Sequence, residues 1–212
     1  ILDAFAGVGG NAIAFGLHPN VSLTICVDTN LERLKLAANN CRVYNVPPEK
    51  ILFLHGEASK VLCRYRDGSL LSENAKNEQY KKDQLEYHGY SFDDCQRLPA
   101  RLDGIFLSPP WGGVNYVEVG KRHYGLNNLE LHRDDDTTYN GAELLRHSVE
   151  ALPADRQNIA YYLPRNLNGL MFAQDCHDCG IRGYVDMEKN LLNTKFKAIA
   201  VYIQSDAPEE KD

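Results

Sequence analysis

A short apolar strand that breaks at a glycine turn and re-enters the chain as a helix most restricts what this sequence can fold into. Ile1–Ala4 runs into Gly7-Val8-Gly9-Gly10, and the helical segment Asn11–Leu17 follows at once. Glycine adopts positive φ without a Cβ penalty, so the turn can be tight and its backbone closely approached. The alternation then continues. Val21–Val27 favours a strand and ends at Asp28; Leu31, Leu34, Ala38 and Cys41 recur at helical spacing through Tyr44, and Pro47-Pro48 stops that helix. Ile51–Leu54, Leu102–Leu107 and Ile159–Leu163 read as further strands. Asn140-x-x-Glu143 resembles a capping box opening a helix that ends before Pro153. A last helix near Leu170–Cys179 precedes two strand-like stretches, Ile181–Met187 and Phe196–Ile203.

Strands alternating with helices imply an α/β fold: a doubly wound, mostly parallel, seven-stranded sheet. The last two strands, with no helix between them, imply a C-terminal antiparallel hairpin. A length of 212 residues suits a single domain. Two stretches break the rhythm. Arg66–Ala100 is polar and weakly periodic and reads as an inserted surface loop; Gly112–Tyr139, with Tyr116, Tyr124 and Tyr139, reads as a lid over the ligand crevice. The chain opens on Ile1 without a methionine, so a preceding segment is expected.

Composition narrows the partners. No apolar run approaches the roughly 18–20 residues a membrane helix needs. A formal charge of −6 argues against a broad electrostatic grip on long nucleic acid and for a small, partly cationic ligand in a pocket. The six cysteines do not resemble a disulfide framework, and Cys176-His177-Asp178-Cys179 has no second ligand pair at metal-binding spacing. The run Asp134-Asp135-Asp136 reads as a solvated loop.

Gly7-x-Gly9-x-x-Ala12, with Asp28 ending the second strand, satisfies a dinucleotide fingerprint. By itself it does not separate a nicotinamide dinucleotide from an adenosyl cofactor. Asp3 bears on that choice: a carboxylate at the strand end repels a pyrophosphate but favours the sulfonium and ammonium of S-adenosylmethionine. The plain alternative is that Asp3 only caps the turn. Asp28 suits ribose hydroxyls, and Glu57, after the third strand, is a candidate for the adenine edge or a solvated helix-start residue.

The second motif is Leu107-Ser108-Pro109-Pro110-Trp111-Gly112-Gly113. Prolines stiffen the backbone and leave carbonyls free to accept. Ser108 or those carbonyls can take the N–H protons of a base amine and aim its lone pair, while Trp111 stacks on the base. A positively charged 7-methylguanine would add about 0.5–2 kcal/mol of cation–π attraction. The alternative is a proline turn with a core tryptophan.

These residues resemble the trimethylguanosine synthase family, RNA cap guanine-N2 methyltransferases of the class I, Rossmann-like fold. The likeness rests on Asp3-Ala4-Phe5-Ala6-Gly7-Val8-Gly9-Gly10-Asn11, Asn39-Asn40 with Tyr44, Phe106–Gly113, Tyr162–Asn166 and Asn190-x-x-Asn193-x-Lys195. It implies methyl transfer from S-adenosylmethionine, with S-adenosylhomocysteine as product and no metal, to N2 of a 7-methylguanosine cap on small nuclear and nucleolar RNAs. It further implies a nuclear protein of the nucleolus and Cajal body, with a cytoplasmic pool. By resemblance Asp3, Phe5, Gly7, Gly9, Asn11, Asp28, Glu57 and Ser108 bind the cofactor. Ser108, Pro109 and Trp111 serve catalysis, and Trp111, Arg165, Asn166 and Lys195 bind the substrate. Lys195 has a solvated hairpin lysine as its alternative. Three departures stand out: the longer Arg66–Ala100 stretch, Glu57 where the family more often has aspartate, and no helical extension before Ile1. The isolated chain is therefore expected to fold but to methylate poorly. Competing functions are a methyltransferase for an internal base or a protein amide, a cap-binding module without catalysis, and a nicotinamide oxidoreductase.

Overall fold

The computed structural model describes residues 1–69, 85–112, 123–133 and 135–205. By internal packing it divides into two compact units, Ile1–Ile105 and Phe106–Asp212. In the first, strands β1 (Leu2–Asp3), β2 (Thr24–Asp28) and β3 (Ile51–His55) pair in parallel. Helices α1 (Gly10–Leu17), α2 (Leu31–Val43) and α3 (Ala58–Asp67) follow them. Asn30 opens α2 because its side-chain oxygen accepts the Arg33 N–H at 3.0 Å, satisfying one of the orphan donors of the first turn.

Successive strand residues point to opposite faces, and here both faces are buried. Cys26, Ile51 and Phe53 pack with Ala12, Leu34, Ala38 and Cys41 of α1 and α2. The alternate residues Ile25, Val27 and Leu52 are equally inaccessible. Burial on both sides is what a parallel sheet requires, and it explains why these strands read as unbroken apolar runs.

Arg66–Ala100 departs from the expected surface loop. Residues 70–84 lie outside the described residues, but β4 (Leu85–Tyr87) and β5 (Tyr90–Phe92) form a hairpin through His88 and Gly89, both at positive φ. Strand β5 pairs in parallel with β3, and the buried rings of Tyr90 and Phe92 contact Phe53. Three residues give too little periodicity to stand out beside a charged flank, so only packing reveals this pair of strands. The Arg97 guanidinium fastens it, donating to Ser91 Oγ at 3.1 Å and to the Glu49 carbonyl at 2.7 Å.

Strand β6 (Ile105–Leu107) spans the division between the units. In the second unit, β7 (Glu130–His132) and β8 (Thr138–Asn140) form a separate hairpin leading into α4 (Gly141–Glu150). Asn140 caps α4 as the sequence suggests, accepting from the Glu143 N–H, but the Glu143 carboxylate pairs with Arg133 instead of completing the box. Strand β9 (Ile159–Pro164), helix α5 (Gly169–Asp178) and strands β10 (Gly183–Leu192) and β11 (Lys195–Ser205) follow. β11 lies between β9 and β10, antiparallel to both. The terminal hairpin is thus present, with Asn193 and Thr194 at positive φ in its turn.

Of the expected lid, residues 113–122, Tyr116 among them, lie outside the described residues, as does Asp134 of the acidic run. Tyr124 and Tyr139 are not lid residues: both are core, at 0% and 5% exposure. Tyr124 is drawn in by its backbone, which exchanges hydrogen bonds with Asn166 and Asn168. Glycine is required at Gly141, where a Cβ would stand 2.9 Å from Tyr161 Oη and 3.0 Å from the Leu126 carbonyl.

Candidate functional site

In the first unit the glycine turn wraps around two aspartates. Asp3 ends β1 and is fully buried; its Oδ1 accepts the Phe5 N–H at 3.4 Å, and its Oδ2 has no hydrogen-bond partner. Burial pushes its carboxyl up to about 7, the Phe5 N–H working against that and nearby Asp28 adding to it. Asp28 ends β2. Its Oδ2 accepts the Gly7 N–H and its Oδ1 the Asn30 N–H, each at 2.9 Å. Each carboxylate oxygen has a second lone pair, so Asp28 can hold the turn and still accept from a ligand.

Gly7 lies at φ +53° and Gly9 at +88°, where glycine is favoured. A Cβ on Gly7 would meet nothing within 4 Å, so its bareness leaves open space beside the turn. A Cβ on Gly9 would stand 2.8 Å from the Ala37 Cβ, so there glycine is needed for helix α2 to approach. Asn40, also on α2, donates to the Val8 carbonyl at 2.9 Å and ties down the middle of the turn. Phe5 and Asn11 are half-buried on either side of it.

Glu57 follows β3 and is not the solvated helix-start residue the sequence allowed: it is only 2% exposed. Its Oε1 accepts both the N–H and the hydroxyl of Ser59, capping α3, while Oε2 is buried with no partner. A longer acid than aspartate is thus folded back by Ser59. The Gly56 N–H donates to the Asp28 carbonyl at 3.1 Å, so this acid and the ribose candidate sit at adjoining strand ends.

The second unit holds the other motif. Ser108 is half-buried directly after β6, Pro109 is buried and Pro110 exposed. Trp111 is half-buried; its Nε1–H donates to the Tyr162 carbonyl at 3.1 Å, and its ring lies 5.5 Å from that of Tyr162, tilted by 33°. The indole is therefore a fixed plate, not a core filler. Arg165, just beyond β9, is exposed and donates to the Phe196 carbonyl at 3.4 Å. Asn166 is 9% exposed, and Lys195 is exposed at the start of β11.

The acids of the first unit suit a cationic ligand that also carries N–H or O–H donors: buried carboxylate oxygens without donors are costly until a donor or cation arrives. Asp3, Gly7, Gly9, Asp28 and Glu57 are brought together around one strand-end edge. Ser108, Pro109 and Trp111 form a second group, and Arg165 with Lys195 a third beside the terminal hairpin. Sequence reasoning gave no role to Ser59 or Tyr162. Ser59 carried no signal, while Tyr162 entered only as the first residue of the Tyr162–Asn166 stretch and proves half-buried beside the buried Tyr161 of β9.

A family model described as RNA cap guanine-N2 methyltransferase matches residues 1–206. The trimethylguanosine synthase of Schizosaccharomyces pombe is 26% identical over 166 residues, which cover 78% of this chain and 50% of that protein. The chain thus spans half the length of that curated relative. Among solved structures, an rRNA methylase from Streptococcus thermophilus aligns with a TM-score of 0.46 at 7% identity, covering 97% of this chain and 86% of the other. A precorrin-8W decarboxylase from Methanobacterium thermoautotrophicum gives 0.46 at 13% identity, with 96% and 80% covered.

Proposed function

Because the chain belongs to the RNA cap guanine-N2 methyltransferase family, we propose that it transfers methyl groups from S-adenosylmethionine to N2 of a 7-methylguanosine cap on small nuclear or nucleolar RNA. The single observation that carries the methyl donor is the buried, unpartnered Asp3 Oδ2 beside the open face of Gly7. A pyrophosphate would be repelled there, whereas a cationic ligand relieves the cost of ionising Asp3. When bound, S-adenosylmethionine supplies an electrophilic methyl carried on a sulfonium.

The residues fit that ligand in chemistry as well as charge. Asp3 receives its ammonium end, Asp28 accepts ribose hydroxyls with its spare lone pairs, and Gly7 and Gly9 admit the backbone close to it. Glu57 Oε2 accepts from the adenine amine, held in place by Ser59. Phe5 and Asn11 flank the same turn.

An exocyclic amine is a weak nucleophile because its lone pair is delocalised into the ring. Ser108 and the carbonyls beside Pro109 accept its N–H protons and turn the lone pair out of conjugation. Such positioning lowers a barrier by several kcal/mol, up to about 7–11 in the best intramolecular cases. The new N–C bond forms as the donor's S–C bond breaks, and the amine sheds one proton to water. Trp111, held by Tyr162, stacks on the methylated base; Arg165, Asn166 and Lys195 take the cap phosphates, for which the guanidinium fork is suited.

Trp111→Ala is expected to weaken binding of a 7-methylguanosine cap analogue by about 1–3 kcal/mol, the scale of one base–aromatic stack. Binding of S-adenosylhomocysteine should stay as it was. Calorimetry of both ligands, with mass analysis of the cap analogue after incubation with methyl donor, checks this. An unchanged cap affinity would remove Trp111 from the pocket, and an unmodified cap analogue with native protein would overturn the proposed reaction.

A further inference from the structure

The terminal hairpin carries a concentration of cations that the cap itself does not use up. From Lys189 to Lys197 the chain holds three lysines and no acid, although the whole chain is at −6. Lys189, Lys195 and Lys197 are all exposed, and none is paired with a carboxylate among the described residues. Arg165, also exposed, joins them by its contact with the Phe196 carbonyl, between Lys195 and Lys197.

The ladder spreads these charges out. Lys189 faces Ile199 and Lys195 faces Leu192 across the hairpin. The pairing then shifts: Leu191 faces Phe196 but Asn190 faces Ala198, leaving Lys197 as an extra residue outside the ladder. A bulge of this kind re-aims a side chain and twists the strand. From Lys195 to the level of Lys189 is four residues, about 13 Å at about 3.3 Å per residue, and because Lys195 pairs with Leu192 the two lysines project from opposite faces of the hairpin tip. That is more reach than one phosphate group needs. The acids of the hairpin, Asp186 and Glu188, lie on the far side of Lys189 from the turn, so the positive charge is confined to the tip. A positive tip on an otherwise acidic protein is the footprint of a local, not a global, grip on a polyanion.

We infer that this hairpin is an RNA track: Lys189 and Lys197 hold backbone phosphates of the nucleotides that follow the cap, extending the cap-phosphate role of Arg165 and Lys195. The inference rests on the cap methyltransferase reading. It makes a capped chain a better substrate than a free cap, and it gives the protein a means to prefer capped RNA over cap nucleotides.

The test compares two probes, a short m7G-capped oligoribonucleotide and the cap dinucleotide alone, by fluorescence anisotropy over a series of salt concentrations. Lys189→Ala/Lys197→Ala is expected to weaken the oligoribonucleotide about tenfold at low salt while leaving the cap dinucleotide within about twofold. The slope of log affinity against log salt should fall by about 1.4, two contacts at about 0.7 each for a single strand. Lys189→Arg/Lys197→Arg should restore both. Both positions are exposed, so matching melting curves will exclude a folding effect. Native-like oligoribonucleotide affinity and slope in the alanine variant, or equal losses on both probes, would overturn the track. So would capture by anionic lipid vesicles with no change towards RNA. Failure of the native chain to methylate the cap dinucleotide sinks the underlying reading instead, which separates the two failures.

Discussion

Replacing Asp3 by asparagine is expected to stabilise the ligand-free protein above pH 7 and to abolish its hold on the methyl donor. The carboxyl of Asp3 is raised from 3.8 to about 7, chiefly by burial. A group whose pKa is raised on folding contributes fully below its unfolded value and loses that contribution as pH climbs to the folded one. Here the window runs from about 4 to about 7: the unfolded chain ionises first, and the native state pays for a buried charge above it. At about 1.4 kcal/mol per tenfold change, ionised Asp3 costs the fold on the order of 4 kcal/mol at pH 8. Asparagine keeps an oxygen for the Phe5 N–H but buries an amide without an acceptor, at about 1–3 kcal/mol. A net gain of about 1–3 kcal/mol remains at about pH 8, and it should vanish by about pH 5. Melting curves at the two pH values measure it. The same logic makes donor binding expel a proton near pH 7, visible as a calorimetric heat that changes with the buffer. An Asp3→Asn protein that is less stable at the higher pH would refute the burial argument, and one that retains native affinity for S-adenosylhomocysteine and S-adenosylmethionine would show that Asp3 does not face the ligand.

Gly9→Val should be the most damaging single change in the glycine turn, costing about 2–5 kcal/mol of stability. At φ +88° a β-branched residue is a backbone outlier, and its Cβ would stand 2.8 Å from the Ala37 Cβ and 3.0 Å from the Ala37 Cα. The first effect is worth about 1–2 kcal/mol and the overpacking about 1–3 more. Ala37 belongs to α2, whose inner face is buried to 0% at Leu34, Ala37, Ala38 and Cys41, so the helix has no room to retreat. Against a typical total of about 5–15 kcal/mol, the loss is large. Gly7→Ala is the matched control: positive φ too, but nothing within 4 Å, so only the conformational cost of about 1–2 kcal/mol applies. Chemical denaturation of both variants ranks them, and a Gly9→Val protein as stable as Gly7→Ala would refute the packing argument.

The two expectations differ in how far the sequence foresaw them. That Gly7 and Gly9 mark a tight turn, that Asp28 ends a strand and that Asn140 opens a helix were all legible. Each depends on residues within a few positions, where backbone sterics and short-range hydrogen bonds decide. The Asn140–Glu143 box shows the limit: the local half forms, and the other half is lost to Arg133, ten residues before Glu143. The tyrosines of the supposed lid went wrong for the same reason. An aromatic in a loop looks alike whether it covers a crevice or fills a core, and only the backbone ladder with Asn166 and Asn168 buries Tyr124.

The sequence by itself determined the strand–turn–helix unit, the alternating α/β plan and the identities of the acids and the indole, because these follow from local periodicity and residue chemistry. Tertiary structure alone decided that Asp3 is held near neutrality, that Ser59 folds Glu57 inward, that Tyr162 pins Trp111 and that Tyr90 and Phe92 add a strand beside β3. Each of those depends on burial or on a partner set by packing, and neither the dielectric around a carboxyl nor the neighbour across a sheet is written in adjacent residues.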